Sequence, residues 1–191
     1  MESMETQLAP GFLVASPQLK DPFFTRTVIF LLEHDHAEGT FGIILNKNAD
    51  IAMTDVYAEL DIQLSDDALQ KGFPPVLEGG PVTPELGWLI HSLDWISDKT
   101  RAFENEVGVT ASLDLLKDIA QGEGPSRFLF CLGYSGWGPH QLMKEIQTGS
   151  WLHVPFTADL FFNVEREKLW ETAVARLGID PAYFSPLMGG A

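Results

Sequence analysis

Two apolar runs, Thr27-Val-Ile-Phe-Leu-Leu32 and Arg127-Phe-Leu-Phe-Cys-Leu132, constrain this chain more than any other feature. The first is rich in β-branched and aromatic residues, and the second alternates phenylalanine with leucine and cysteine. Successive side chains of a strand point to opposite faces, so each run is apolar on both faces and reads as a central strand. Shorter strands are expected around them: Phe12 to Ser16, closed by Pro17, and Phe41 to Leu45, the hairpin partner of the first run across the polar stretch His34 to Thr40. Leu86 to Ser92, Glu106 to Val109 and Leu160-Phe-Phe162 read the same way. Pro74-Pro75-Val-Leu-Glu-Gly-Gly-Pro81 reads as a brief edge strand running into a Gly79-Gly80 turn.

Helices interrupt these strands. Thr54 is placed as the N-cap of a helix over Asp55 to Leu60, and Asp66 to Lys71 forms another turn stopped by Gly72. The clearest helix starts at Ser112, buries Leu115, Leu116, Ile119 and Ala120, and stops at Gly122. A further helix follows Pro139 at its N1 position, buries Leu142 and Ile146, and ends at Gly149. The last runs from Glu165 to Leu177, with Gly178 as its C′ residue and Pro181 just beyond. A block of strands followed by strands alternating with helices argues for an α+β fold. The 191 residues fit one domain, with residues 1–7 as a frayed tail and 8–191 as the folded unit.

The net charge of −15 excludes several functions, and the deficit is concentrated in residues 1–120. The basic residues are scattered singly or in loose pairs, with no stripe or arm. Direct nucleic-acid binding is therefore disfavoured, as is attraction to an anionic membrane surface. The single cysteine, Cys131, rules out a disulfide framework and a cysteine-based zinc site. The N-terminus lacks a basic n-region, and no apolar stretch approaches the length a bilayer requires. With a lone thiol as well, the expected location is cytoplasmic.

Gly133-Tyr-Ser-Gly-Trp-Gly138 is the leading site candidate. Read as a turn from strand into helix, it exposes backbone N–H groups and a positive helix end, suited to an anion. The packing alternative is that the glycines allow positive φ around Trp137. Ser135 sits where a nucleophile elbow would place a serine, but Trp137 occupies the fifth position, which the elbow reserves for glycine. No Asp is placed to orient His140 or His153. Glu33-His34-Asp35-His36 carries ligand-type residues, with His34 and His36 on one face of a strand and His91 as a distant third ligand. The plainer reading is local hydrogen bonding in a polar loop. Cys131, within an apolar strand, reads as an inert buried thiol.

Several segments occur together in an order that resembles the YqgE/AlgH family. They are Gly11 to Phe24, Glu33-His34, Gly42-Ile-Ile-Leu-Asn46, Gly79-Gly-Pro-Val82, His91-Ser92, Leu132 to Pro139 with Gln141-Leu142, Trp151-Leu152 and Leu177-Gly-Ile-Asp180. The resemblance covers residues 8–191. It implies a bacterial cytosolic protein with a mixed, bifurcated β-sheet closing into a pseudo-barrel flanked by helices. One branch of the family is described as a transcriptional regulator linked to alginate production, without an established DNA-binding motif. This chain has Ser135 where the family usually has Ala, His140 for Gly, Met143 for Glu, and Gly190 for a penultimate His.

Together these readings predict a non-catalytic regulatory or ligand-binding protein. Its pocket is bordered by Gly79, Gly80, Gly133, Gly136, Trp137 and Gly138, with Arg26 and Asn46 as polar contacts. The expected partner is a small anionic ligand or a protein, with no cofactor and only indirect regulation of transcription. The alternative is a metal- or serine-dependent hydrolase using His34 and His36 or Ser135.

Overall fold

A computed structural model describes residues 7–180; Pro181, the C-terminal Gly189-Gly190-Ala191 and most of the expected N-terminal tail lie outside them. Among the described residues nine strands form one strongly curled sheet: β1 (Gly11–Ala15), β2 (Val28–Asp35), β3 (Gly39–Ile44), β4 (Val76–Glu78), β5 (Val82–His91), β6 (Arg101–Phe103), β7 (Val107–Thr110), β8 (Phe128–Trp137) and β9 (Trp151–Pro155). Their spatial order is β6-β7-β5-β8-β3-β2-β1-β9. All pairings on this path are antiparallel.

The bifurcation lies along β8. Near its start, β8 is flanked by β5 on one side and by parallel β4 on the other, with Val76 opposite Phe130 and Glu78 opposite Leu132. Near its end, β3 takes the place of β4, with Gly42 opposite Ser135 and Thr40 opposite Trp137. The sheet splits around β4, which also bonds to the chain leaving β3 through Glu78 N–H to Lys47 carbonyl and Ala49 N–H to Val76 carbonyl. Curling brings edge strand β6 back over β2. The Phe103 ring meets Phe30 edge-on at 5.1 Å, and Arg101 pairs with Glu33 while donating to the Leu32 carbonyl at 3.2 Å.

Both long apolar runs are buried on two faces, as their composition requires. In β2, Val28, Phe30 and Leu32 point into the main core within the curl, against Phe12, Ile90, Phe161 and Trp170, while Ile29 and Leu31 point outward against Trp137, Leu142 and Trp151. In β8, Leu129 and Cys131 join the inner core, and Phe130 packs outward against Tyr57, Leu115 and Leu116. Burying one such side chain contributes about 1.5–3 kcal/mol, and the alternation commits each strand to a single register.

Six α-helices of the described residues cover the sheet: α1 (Met53–Glu59), α2 (Asp66–Lys71), α3 (Leu113–Ala120), α4 (Gln141–Gln147), α5 (Asp159–Phe162) and α6 (Leu169–Arg176). Ser112 caps α3 through its side chain, and Gly72 ends α2, as the sequence predicts. Elsewhere the structure corrects the expectation. Helix α1 starts before Thr54, because Met53 is buried and the Asp55 carboxylate reaches back to the Ala52 N–H. Pro139 precedes α4 instead of opening it, and His140 stands at the N-cap in the left-handed region. Leu160-Phe-Phe162 is helical. Arg166 Nη2 donates to the carbonyls of Leu160, Phe161 and Val164 and so satisfies the end of α5. Strands β6 and β9 were not expected. Among the described residues, no helix is long and apolar enough to cross a membrane.

Candidate functional site

The predicted glycine turn is a strand. Residues 133–137 complete β8, with Ser135 to Trp137 paired to β3 and Tyr134 opposite Val82 of β5, so they present no positive helix end, and the anion argument at this position fails. The two glycine segments do meet, as close backbone packing. Gly79 donates to the Leu132 carbonyl at 2.7 Å, and its own carbonyl accepts from Ile44 N–H at 2.8 Å. A Cβ on Gly80 would stand 2.0 Å from the Tyr134 carbonyl carbon, and one on Gly133 would stand 2.4 Å from the Gly80 oxygen. Gly133 also has φ +71°, which side chains disfavour.

Arg26 and Asn46 do not serve this junction. Arg26 bonds to Glu171 at 2.7 Å and lies over the Trp170 ring at 4.3 Å. Asn46 accepts from Val28 N–H and donates to the Arg26 carbonyl, both at 2.8 Å, and so fastens the start of β2. Both are committed to holding the fold.

Ser135 is buried, and its hydroxyl donates to the Gly79 carbonyl at 3.3 Å. It is positioned by the β3–β8 pairing and has no histidine among its hydrogen-bond partners. Cys131 is fully buried, and that burial pushes its thiol up to about 12, so the thiolate is absent near neutral pH. The Trp137 indole is also buried, donating at 2.9 Å to Glu145 Oε2, which accepts from Trp151 at 2.8 Å as well.

The three histidines considered as metal ligands lie in two environments. His34, on β2, bonds through Nδ1 to Thr40 Oγ1 at 2.7 Å, and its ring meets the His36 ring edge-on at 4.9 Å. His91 lies on β5, fully buried, where it bonds to Thr110 and to the Ser92 carbonyl. It does not join the other two: among the described residues no group of three His, Cys, Asp or Glu is placed to hold a metal ion.

What β8 does supply is a groove of about 620 Å³ beside its last residues. His34, Phe41, Val82, Tyr134, Gly136 and Trp137 line it, and Asp35 and Glu38 add carboxylates beside Glu33, which Arg101 already pairs. The Phe41 and Tyr134 rings lie 4.6 Å apart. The Asp35 carboxyl is held below its ordinary range, first by the Glu38 N–H and then by that of Ala37, both of which bond to it. Aromatic faces beside ionised carboxylates suit a positively charged group, the opposite of the predicted anion. Gly136 is exposed, lacks positive φ, and would meet nothing closer than 3.6 Å with a Cβ. Sequence reasoning singled out His34, Gly136 and Trp137, with Tyr134 inside the same glycine-rich segment, but missed Phe41 and Val82, which only the β3–β5–β8 pairings bring to them.

The sequence profile of the family described as AlgH-like matches residues 12–182. A UPF0301 protein of Anaeromyxobacter dehalogenans is 41% identical over 188 residues, covering 96% of this chain and 95% of that protein. The solution structure of the AlgH protein from Pseudomonas aeruginosa is similar with a TM-score of 0.77 and 31% identity, covering all of both chains. A crystal structure from Corynebacterium diphtheriae shares the fold with a TM-score of 0.72 at 21% identity, covering 98% of this chain and 95% of that one.

Proposed function

Because the chain belongs to the AlgH-like family, we propose that it is a non-catalytic binding protein that regulates through a protein partner received in the β8 groove. The observation that carries this reading is Gly136. Neither its backbone conformation nor its surroundings require glycine, yet its bare backbone keeps open the floor between Tyr134 and Trp137. The groove's carboxylates and aromatic rings favour a lysine or arginine side chain on the partner. The candidate nucleophile Ser135 and the thiol of Cys131 are both sealed in the sheet, which favours binding over catalysis.

Regulation of transcription is then indirect, and the purified protein gives no band shift with duplex DNA at physiological salt. The decisive test is Gly136→Leu, which fills the groove floor. The variant melts with the parent but fails to complement a deletion strain. Full complementation by a folded Gly136→Leu variant would overturn the reading, as would a specific, salt-sensitive DNA shift at nanomolar protein.

A further inference from the structure

The described residues contain a larger cavity, of about 1020 Å³, between α2, the start of β8 and the segment joining α5 to α6. Its charge is unusual for so acidic a chain. Arg127 and Arg166 both line it, and neither has a carboxylate within ion-pairing distance among the described residues. Each bonds to one residue of the step from Asn163 to Val164. Arg127 Nη1 donates to Asn163 Oδ1 at 3.0 Å with its guanidinium 5.0 Å from the Phe162 ring centre, and Arg166 Nη2 donates to the Val164 carbonyl at 2.7 Å.

Arg166 is held rigidly, since the same Nη2 serves Leu160 and Phe161 and Nη1 reaches the Leu45 carbonyl at 3.4 Å. Its Nε–H, and the Nε–H and Nη2 of Arg127, make no hydrogen bond among the described residues. The carboxylates on the wall are already engaged. Asp94 accepts from the Ser92 hydroxyl at 2.6 Å and from Ser126 N–H at 2.9 Å, and Glu165 pairs with Lys168. Lys71, at the rim, is paired with Asp67. Apart from Ser126, the remaining side chains of the wall are apolar, including Phe73, Phe128 and Phe162.

We propose that this cavity is a binding site for an organic anion of nucleotide size, with a phosphate or carboxylate head between Arg127 and Arg166 and a flat, apolar body against the phenylalanines. Guanidinium N–H groups match both oxyanion geometries, and a pre-fixed arginine loses little freedom on binding. The volume suits a drug-sized ligand. The site is separate from the β8 groove and does not depend on it.

The test is isothermal titration at fixed ionic strength with four probes: AMP, 2-naphthoate, inorganic phosphate and adenosine. At least one of AMP and 2-naphthoate binds, tighter than either phosphate or adenosine, and whichever is preferred identifies the head group. Arg127→Ala weakens that binding at least tenfold, whereas Arg127→Lys recovers only part of it. On the unaltered chain, the bound probe slows modification of Arg127 by phenylglyoxal, read by mass spectrometry, so the proposal is testable even if the variant folds poorly. Failure of both AMP and 2-naphthoate to bind at millimolar concentration overturns the proposal. So does binding that leaves Arg127 as reactive as before.

Discussion

His91 Nε2 lies 2.9 Å from the Thr110 hydroxyl, on neighbouring antiparallel strands. Nδ1 lies 2.9 Å from the Ser92 carbonyl, which can only accept, so Nδ1 carries the proton and Nε2 accepts from threonine. Thr100 Oγ1, 3.0 Å from Thr110 Oγ1, donates into the same chain. The imidazole is thereby fixed in one neutral tautomer, and burial holds its pKa below the ordinary 6.5.

This predicts acid sensitivity. As pH falls through 6.5 the unfolded chain binds a proton at this histidine before the folded chain does, so stability drops as acid is added. Melting temperatures at about pH 7.5 and 5.5, above the range where most carboxylates titrate, check it. The acid-induced loss is smaller in His91→Gln than in the parent; equal losses would place the effect elsewhere. Thr110→Val, which leaves Nε2 without its donor, lowers stability by about 1–3 kcal/mol.

The glycines of β8 should separate by role. Gly133→Ala introduces a Cβ at positive φ against the Gly80 oxygen, and Gly80→Ala drives one into the Tyr134 carbonyl. Each costs about 1–3 kcal/mol or more in denaturant melts. Gly136→Ala stays within about 0.5 kcal/mol of the parent.

Cys131 should be chemically silent in the folded chain. With its thiol pushed up to about 12 and no solvent access, iodoacetamide near pH 8 leaves it unmodified over hours and alkylates it fully in denaturant. Rapid labelling without denaturant, measured by intact mass, would contradict the buried placement.

Glu145 joins two indoles through one oxygen, and its other oxygen accepts from Gln141 Nε2 at 2.9 Å. Glu145→Leu strands both N–H groups and costs about 2–4 kcal/mol. Glu145→Gln retains one acceptor oxygen and costs less. Tryptophan fluorescence shifts in both variants, since Trp137 and Trp151 meet edge-on at 5.9 Å.

The long apolar runs were legible because burial on two faces leaves no alternative pattern: Phe30 and Cys131 sit where composition puts them. Leu160-Phe-Phe162 was not, since a short apolar run looks alike as strand or buried helix until Arg166, several residues on, ends it. The glycines of residues 133–138 misled for a related reason. Turn chemistry and close strand packing both select glycine, and only the positions of Gly80 and the β3 backbone distinguish them. Cavities depend on residues far apart in sequence, so neither the contact of Phe41 with Tyr134 nor the placing of Arg127 and Arg166 on one cavity wall carries a local signal.

The place of β8 in the sheet also orders the birth of the molecule. β3, at residues 39–44, has its edge completed by residues 135–137, and β1 at residues 11–15 is flanked by β9 at 151–155. On the ribosome, the β1–β2–β3 meander therefore emerges with both edges unpaired and waits for most of the chain to follow. Non-local closure of this kind is slow, and open apolar strands are prone to aggregate meanwhile. The short edge strand β6, the acidic surface and the late arrival of α6 over the inner core bear directly on yield in the cell, quite apart from what the finished protein binds.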